Sequence, residues 1–127
     1  MYLTATTHRI EIVTDATATT TEPVFTVSYQ DITALGMTIP QSSNQGSTVG
    51  TTDTVLVAAP AVDTNRKITY ISVYNSDSVA RTIRIYKDIS GTEYNLCTSL
   101  LQSGDTLEWS IETGWHILSN SLQESII

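Results

Sequence analysis

Apolar and polar residues alternate with a period of two along much of this chain. Segments 8–13, 24–29 and 82–87 each place isoleucine, valine or aromatic side chains at every second position. Successive residues of a β-strand point to opposite faces, so this alternation is typical of strands with one buried face. No window has a convincing helical period, and the sequence therefore predicts an all-β protein.

Turn-forming residues separate these segments from others of the same kind. Polar clusters occur at 75–78, 103–105 and 112–114. Further strands are expected over 55–59, 68–74, 93–98, 106–111 and 115–118. Short strands with closely spaced turns indicate an antiparallel sandwich or barrel. We expect an antiparallel β-sandwich, jelly-roll-like, with an N-terminal strand-forming arm.

A polar stretch divides the chain. Residues 41–50 contain one apolar side chain, Val49, and are predicted to form a linker. The linker separates residues 1–40 from a sandwich domain over 51–120 and a tail over 121–127. Because about 40 residues seldom fold alone, we expect the first segment to be an arm that adds strands or wraps a neighbouring chain. The sandwich domain is expected to stay folded when this arm is deleted.

Charge and hydropathy argue against two classes of partner. The chain carries 13 acidic and six basic residues, which give a formal net charge of -7. Because nucleic-acid affinity comes chiefly from lysine and arginine, we expect no nucleic-acid partner. No apolar run approaches the roughly 20 residues that span a bilayer, so we expect no membrane partner.

Residues that could carry chemistry are few and scattered. Cys97 is the single cysteine and cannot form an internal disulfide, and neither His8 nor His116 belongs to a metal-binding motif. The chain has no Gly-x-Ser-x-Gly elbow and no glycine-rich phosphate loop. We therefore expect no enzymatic activity, no catalytic residues, no metal, no cofactor and no small-molecule substrate.

Two tyrosines share one face of a predicted strand. Tyr70 and Tyr74 lie on that face, and Ile71 and Val73 occupy the other. The tyrosines could contact a partner subunit, or they could form a sugar-binding stack, because the ring is apolar and the hydroxyl tolerates water. We favour the subunit contact, since tyrosine is enriched at protein interfaces and no cluster of Asp, Asn and Arg frames a sugar pocket.

Several segments resemble small virion proteins of tailed bacteriophages. The opening segment LTATTHRIEIVT, residues 3–14, resembles the start of such proteins. The other segments that fit this group are FTVSYQDIT (25–33), VLVAAP (55–60), RKITYISVYN (66–75), LQSGDTLEW (101–109) and GWHIL (114–118). The resemblance implies a structural, non-catalytic component of the virion that is made in the cytoplasm of the bacterial host.

Within this group we expect a capsid decoration, or cement, protein that binds the assembled head and stabilises it. The resemblance implies the major capsid protein or other virion proteins as partners, and a homo-oligomer, with a trimer as the preferred guess. A neck protein, a tail-appendage or fibre protein, and a carbohydrate-binding module are the alternatives. The candidate contact residues are Tyr2, Leu3, Ile10, Ile12, Phe25 and Tyr29 in the arm, and Tyr70 and Tyr74 in the sandwich. For Ile10, Ile12 and Phe25, ordinary core packing is an equal alternative.

Overall fold

The chain forms two antiparallel sheets that pack face to face. The computed structural model describes residues 1–120, in which about 60% of the residues lie in strands and each strand pair is antiparallel. The strands are β1 (Tyr2–Leu3), β2 (His8–Thr14), β3 (Val24–Thr33), β4 (Ser42–Ser47), β5 (Thr54–Val57), β6 (Thr64–Tyr74), β7 (Arg81–Ile89), β8 (Thr92–Leu101), β9 (Thr106–Ser110) and β10 (Gly114–Leu118). The predicted all-β antiparallel sandwich is confirmed.

The strand order places the long strands in the middle of each sheet. The larger sheet has the order β10-β9-β6-β3-β4, with β1 paired to the first part of β6. The smaller sheet has the order β5-β2-β7-β8. The alternating apolar residues meet between the two sheets, where Ile71, Val27 and Ile85 are fully buried. Burying each such side chain contributes about 1.5–3 kcal/mol.

Residues 1–40 are an integral part of this sandwich. Strand β2 lies between β5 and β7, and β3 lies between β6 and β4. Of the two roles expected for this segment, the structure shows the first, in which it adds strands, and it adds them to its own chain. The expectation that 51–120 is a separate sandwich domain is therefore corrected, because the core is closed by strands from both sides of residue 50.

The predicted linker, 41–50, is also corrected. It contains β4, which pairs with β3 from Val24 to Tyr29. Its side chains are polar and mostly exposed, so the strand is held by backbone hydrogen bonds, which require no apolar residues. The tail predicted over 121–127 lies outside the described residues.

Candidate interaction surface

A buried carboxylate joins two loops at one end of the sandwich. Asp77 follows β6, is almost fully buried, and accepts hydrogen bonds from the backbone N–H groups of Thr19 and Thr20 at 3.0 and 2.9 Å. The Nε of Arg81 donates to it at 2.8 Å. Burial alone would raise the pKa of Asp77, but these hydrogen bonds hold it well below its ordinary value. The carboxylate therefore stays ionised and ties the β2–β3 loop to the β6–β7 loop.

Further hydrogen bonds brace the same end. Ser76 Oγ donates to the backbone oxygen of Glu22 at 2.9 Å, and Thr48 Oγ1 donates to the Glu22 carboxylate at 2.6 Å. Ser103 Oγ donates to the backbone oxygen of Asp77 at 2.6 Å. We call the loops 15–23, 75–80 and 102–105 the polar end. Asp77, Ser76 and Ser103 each use their side chain or backbone to join one of these loops to another.

The opposite end of the sandwich exposes apolar side chains. Leu35, Met37 and Ile39 in the β3–β4 loop are 90%, 66% and 42% exposed, and Val62 in the β5–β6 loop is 73% exposed. The two loops are joined by a hydrogen bond from Ala34 N–H to the backbone oxygen of Asp63 at 2.9 Å. We call these four side chains the apolar end.

The turn at the tip of the β3–β4 loop fixes how these side chains are presented. The N–H of Thr33 donates to the oxygen of Met37, and the N–H of Gly36 donates to the oxygen of Thr33, both at 2.9 Å. Gly36 has a φ of 79°, a conformation that costs little only for glycine. Contiguous exposed apolar patches are uncommon on monomeric proteins and mark contact sites. Covering these side chains would contribute on the order of 5 kcal/mol, before the cost of association is subtracted.

Sequence reasoning missed the apolar end. Leu35, Met37 and Ile39 stand at alternate positions, as they would in a strand with one buried face. This pattern does not predict that β3 ends at Thr33 or that the chain then turns away from the core. The one available signal was Gly36, which allows the turn.

Half of the predicted contact residues belong to the core. Leu3, Ile10, Ile12 and Phe25 are between 0% and 5% exposed and pack between the sheets. The prediction that they contact a partner is corrected in favour of core packing, because in the folded chain a partner cannot reach them.

The predicted tyrosines reach the surface in different places. Tyr70 and Tyr74 lie on the outer face of the larger sheet, and the opposite face of their strand buries Ile71 and Val73 as predicted. Tyr2 is exposed in β1, which pairs with the other half of β6. The structure therefore does not gather the predicted residues into one surface.

The Tyr29 ring makes its contacts within its own chain. The guanidinium of Arg66 stacks on its ring, 4.3 Å from the ring centre, and donates to the carboxylate of Asp31 at 2.8 Å. This arrangement fixes the Tyr29 ring against the edge of the core.

A polar cluster covers the outer face of the smaller sheet. The hydroxyl of Tyr86, a fully buried side chain, donates to the carboxylate of Glu11 at 2.9 Å. Burial, together with the nearby carboxylates of Asp53 and Glu11, raises the pKa of Tyr86 far above its ordinary value. The phenol therefore remains a hydrogen-bond donor at any physiological pH and holds Glu11 in place.

The residues considered for chemistry do not come together. Nε2 of His116 lies 3.7 Å from a carboxylate oxygen of Glu108, and the Sγ of Cys97 lies 3.2 Å from the hydroxyl of Ser99. Within residues 1–120, no three His, Cys, Asp or Glu side chains are placed to share a metal ion. The same part of the chain contains no helix of the length and hydrophobicity needed to cross a membrane.

No protein-family model matches the chain, and neither a curated protein nor a solved structure is significantly similar to it. The features of the molecule that bear on function are the two unlike ends of the sandwich and the faces between them.

Proposed function

We propose that this chain is a structural protein of a tailed-phage virion, and specifically a decoration protein that binds the assembled head. The observation that carries the proposal is the apolar end, where Leu35, Met37, Ile39 and Val62 project from two loops that are hydrogen-bonded to each other. In this proposal the apolar end attaches to the capsid and the polar end points away from it.

The difference between the two ends supports attachment through one of them. The polar end is cross-linked by Asp77 and its partners, whereas the apolar end leaves large side chains without a covering layer. A protein that binds only the assembled shell stabilises that state in proportion to its binding free energy. An exposed apolar surface can provide this binding free energy, because burying it is favourable and few charged groups lose their hydration.

The distribution of charge supports an outer location. Each of the four arginines, Arg9, Arg66, Arg81 and Arg84, forms an ion pair with a carboxylate of its own chain. These pairs leave a net charge of -7 with few cations free for other partners. Such a surface is repelled by packaged nucleic acid, which agrees with a position on the outside of the head.

We also propose that the chain forms a homo-oligomer, specifically a trimer. Tyr70 and Tyr74 are the side chains that we expect to contact the neighbouring copy, because both lie on the outer face of the larger sheet. A glycan stack on that face is less well supported, since Trp109 and Trp115 pack against the core and do not join the tyrosines.

Antibody labelling tests the location. Particles released from bacteria that carry the gene for this chain would be imaged with gold-labelled antibody against the purified protein. We expect label over the whole head. Label at a single vertex would replace the proposal with a neck protein, label on the tail would replace it with a tail appendage, and unlabelled particles would reject a virion role.

Binding by variants tests the apolar end. Purified protein would be added to particles from which its gene has been deleted, and bound protein would be measured after sedimentation. The double substitution Leu35→Ser and Met37→Ser is expected to weaken binding about tenfold or more, since each 1.4 kcal/mol corresponds to a factor of ten. Val79→Ser, which removes an exposed apolar side chain within the polar end, should bind as the unmodified protein does. Equal binding by all three proteins would show that the apolar end is not the attachment surface.

A further inference from the structure

A cleft of about 340 Å³ lies on the outer face of the smaller sheet. Its walls come from the β1–β2 loop, the first residues of β2, the strand β5 and the β7–β8 turn. Arg9 and Asp88 supply charged groups, Thr6 and Ser90 supply hydroxyls, and Val55 supplies an apolar surface. The volume is at the lower limit of small-molecule sites, which run from roughly 300 Å³ upward.

The charged wall of the cleft is held by the polar cluster beneath it. Nε of Arg9 donates to the carboxylate of Glu11, which is fixed in turn by the hydroxyl of Tyr86. The Nη2 atom of Arg9 lies 3.8 Å from a carboxylate oxygen of Asp88. The Arg9 side chain is nevertheless 49% exposed, so part of its guanidinium faces the solvent while the group as a whole is held in position.

The remaining walls are tied to each other by hydrogen bonds. The N–H of Ser90 donates to the backbone oxygen of Thr7 at 3.1 Å, and the N–H of Gly91 donates to Asp88 Oδ1 at 2.8 Å. Ser90 has a φ of 53°, which is uncommon for a residue other than glycine. The turn therefore presents Ser90 in one conformation, and the cleft is formed before any ligand arrives.

The charged groups of the cleft are already paired with one another. Arg9 forms an ion pair with Glu11 and lies 3.8 Å from Asp88, so no charged group is left without a partner of opposite sign to hold a small ion strongly. The groups that remain suit a neutral molecule with both donors and acceptors. Arg9 and the hydroxyls of Thr6, Thr7 and Ser90 can donate, the same hydroxyls and Asp88 can accept, and Val55 can contact C–H groups.

We propose that this cleft binds a neutral saccharide unit. Vicinal hydroxyls fit a guanidinium beside a carboxylate, and the C–H face of a sugar ring fits the apolar wall. The site is separate from Tyr70 and Tyr74, where the sequence pattern had offered a sugar stack, and the fold assembles it by bringing β2 beside β7. It does not depend on the apolar end, and it would give the protein contact with glycans whether or not the protein decorates a capsid.

Nuclear magnetic resonance titration tests the proposal. The ¹⁵N-labelled full chain would be titrated with the methyl glycosides of glucose, galactose, mannose and N-acetylglucosamine, and with sodium acetate and methylammonium chloride as charged probes. A shallow site of this size is expected to bind at about millimolar Kd. We expect at least one glycoside to give saturable shifts at the amides of Thr7, Ser90 and Gly91, and neither ion to do so.

Two variants that each remove one positive charge provide the matched comparison. Arg9→Gln should weaken glycoside binding about tenfold or more. Lys67→Gln removes a cation from β6 of the larger sheet, away from the cleft, and should leave binding unchanged. Unchanged amide positions away from the cleft would confirm that each variant is folded. The proposal is overturned if no glycoside gives saturable shifts at about 50 mM, if the ions bind instead, if the shifts lie elsewhere, or if the two variants behave alike.

Discussion

Asp77 is the residue that most directly connects the loops of the polar end. Its carboxylate accepts hydrogen bonds from the backbone of Thr19 and Thr20 and from the guanidinium of Arg81. Burial opposes ionisation, but these bonds outweigh it and lower the pKa below the ordinary value of 3.8. The folded state therefore binds a proton at Asp77 less readily than the unfolded chain does.

This difference predicts that acid destabilises the protein through Asp77. Above about pH 5 the carboxylate is ionised in both states, and its contribution to the free energy of unfolding is complete. As the pH falls below that value, the unfolded state takes up the proton first, so the free energy of unfolding decreases until the pH reaches the lower pKa of the folded state. Urea denaturation between about pH 6 and pH 2.5 measures this loss.

Two substitutions isolate the contribution of Asp77. Asp77→Asn should be less stable than the unmodified chain near neutral pH and should lose less stability on acidification. Asp63→Asn changes an exposed carboxyl in a left-handed conformation that asparagine tolerates, so it should keep the full acid dependence. If Asp77→Asn lost as much stability on acidification as the unmodified chain, the lowered pKa of Asp77 would not be the cause of that loss.

At the level of single elements, side-chain periodicity identified the strands that bury apolar residues. The segments predicted around Ile10, Phe25, Ile71, Ile83 and Leu107 are all strands, because the core requires alternation there. The strand β4 was missed for the complementary reason. It pairs through its backbone at the edge of the larger sheet, and its Ser, Asn, Gln and Gly side chains carry no periodic signal.

The candidate sites were less predictable than the strands. The apolar end depends on where a hairpin turns, and the cleft depends on Arg9 and Asp88 meeting across two neighbouring strands. Both are products of strand register and loop path, which a periodic pattern does not encode.

Gly46 of β4 packs closely against the Phe25 ring, and this contact can be tested. It lies opposite Phe25, and a Cβ atom added at Gly46 would be 3.0 Å from Cζ of the Phe25 ring. Gly46→Val should therefore push the ring into the core and lower the free energy of unfolding by about 1–3 kcal/mol. Ser43→Val adds a similar side chain at an exposed position of the same strand and should change stability little. Equal urea midpoints for the two variants would mean that Phe25 does not rest on Gly46.

At the scale of the whole molecule, the order of the strands in the sheets ties the two halves of the chain together. Removing residues 1–40 takes β2 from between β5 and β7, and β3 from between β4 and β6. The remaining strands β5 and β4 would then have no partner in their own sheets. The inner faces of β6 and β7, which include Ile71 and Ile85, would also lose the side chains that cover them.

We therefore expect fragment 41–127 to be unfolded by itself, with no cooperative thermal transition and with poorly dispersed amide signals. Adding the separate peptide 1–40 should restore a dispersed spectrum, because every contact that defines the sandwich can form again without a covalent link at residue 40, in an exposed loop. The equilibrium then depends on concentration, so the unfolding midpoint of the mixture should rise as both pieces are concentrated. A fragment 41–127 that unfolds cooperatively without the peptide would instead mean that strands β5 to β10 form a core of their own, and that residues 1–40 are free to pair with a neighbouring chain.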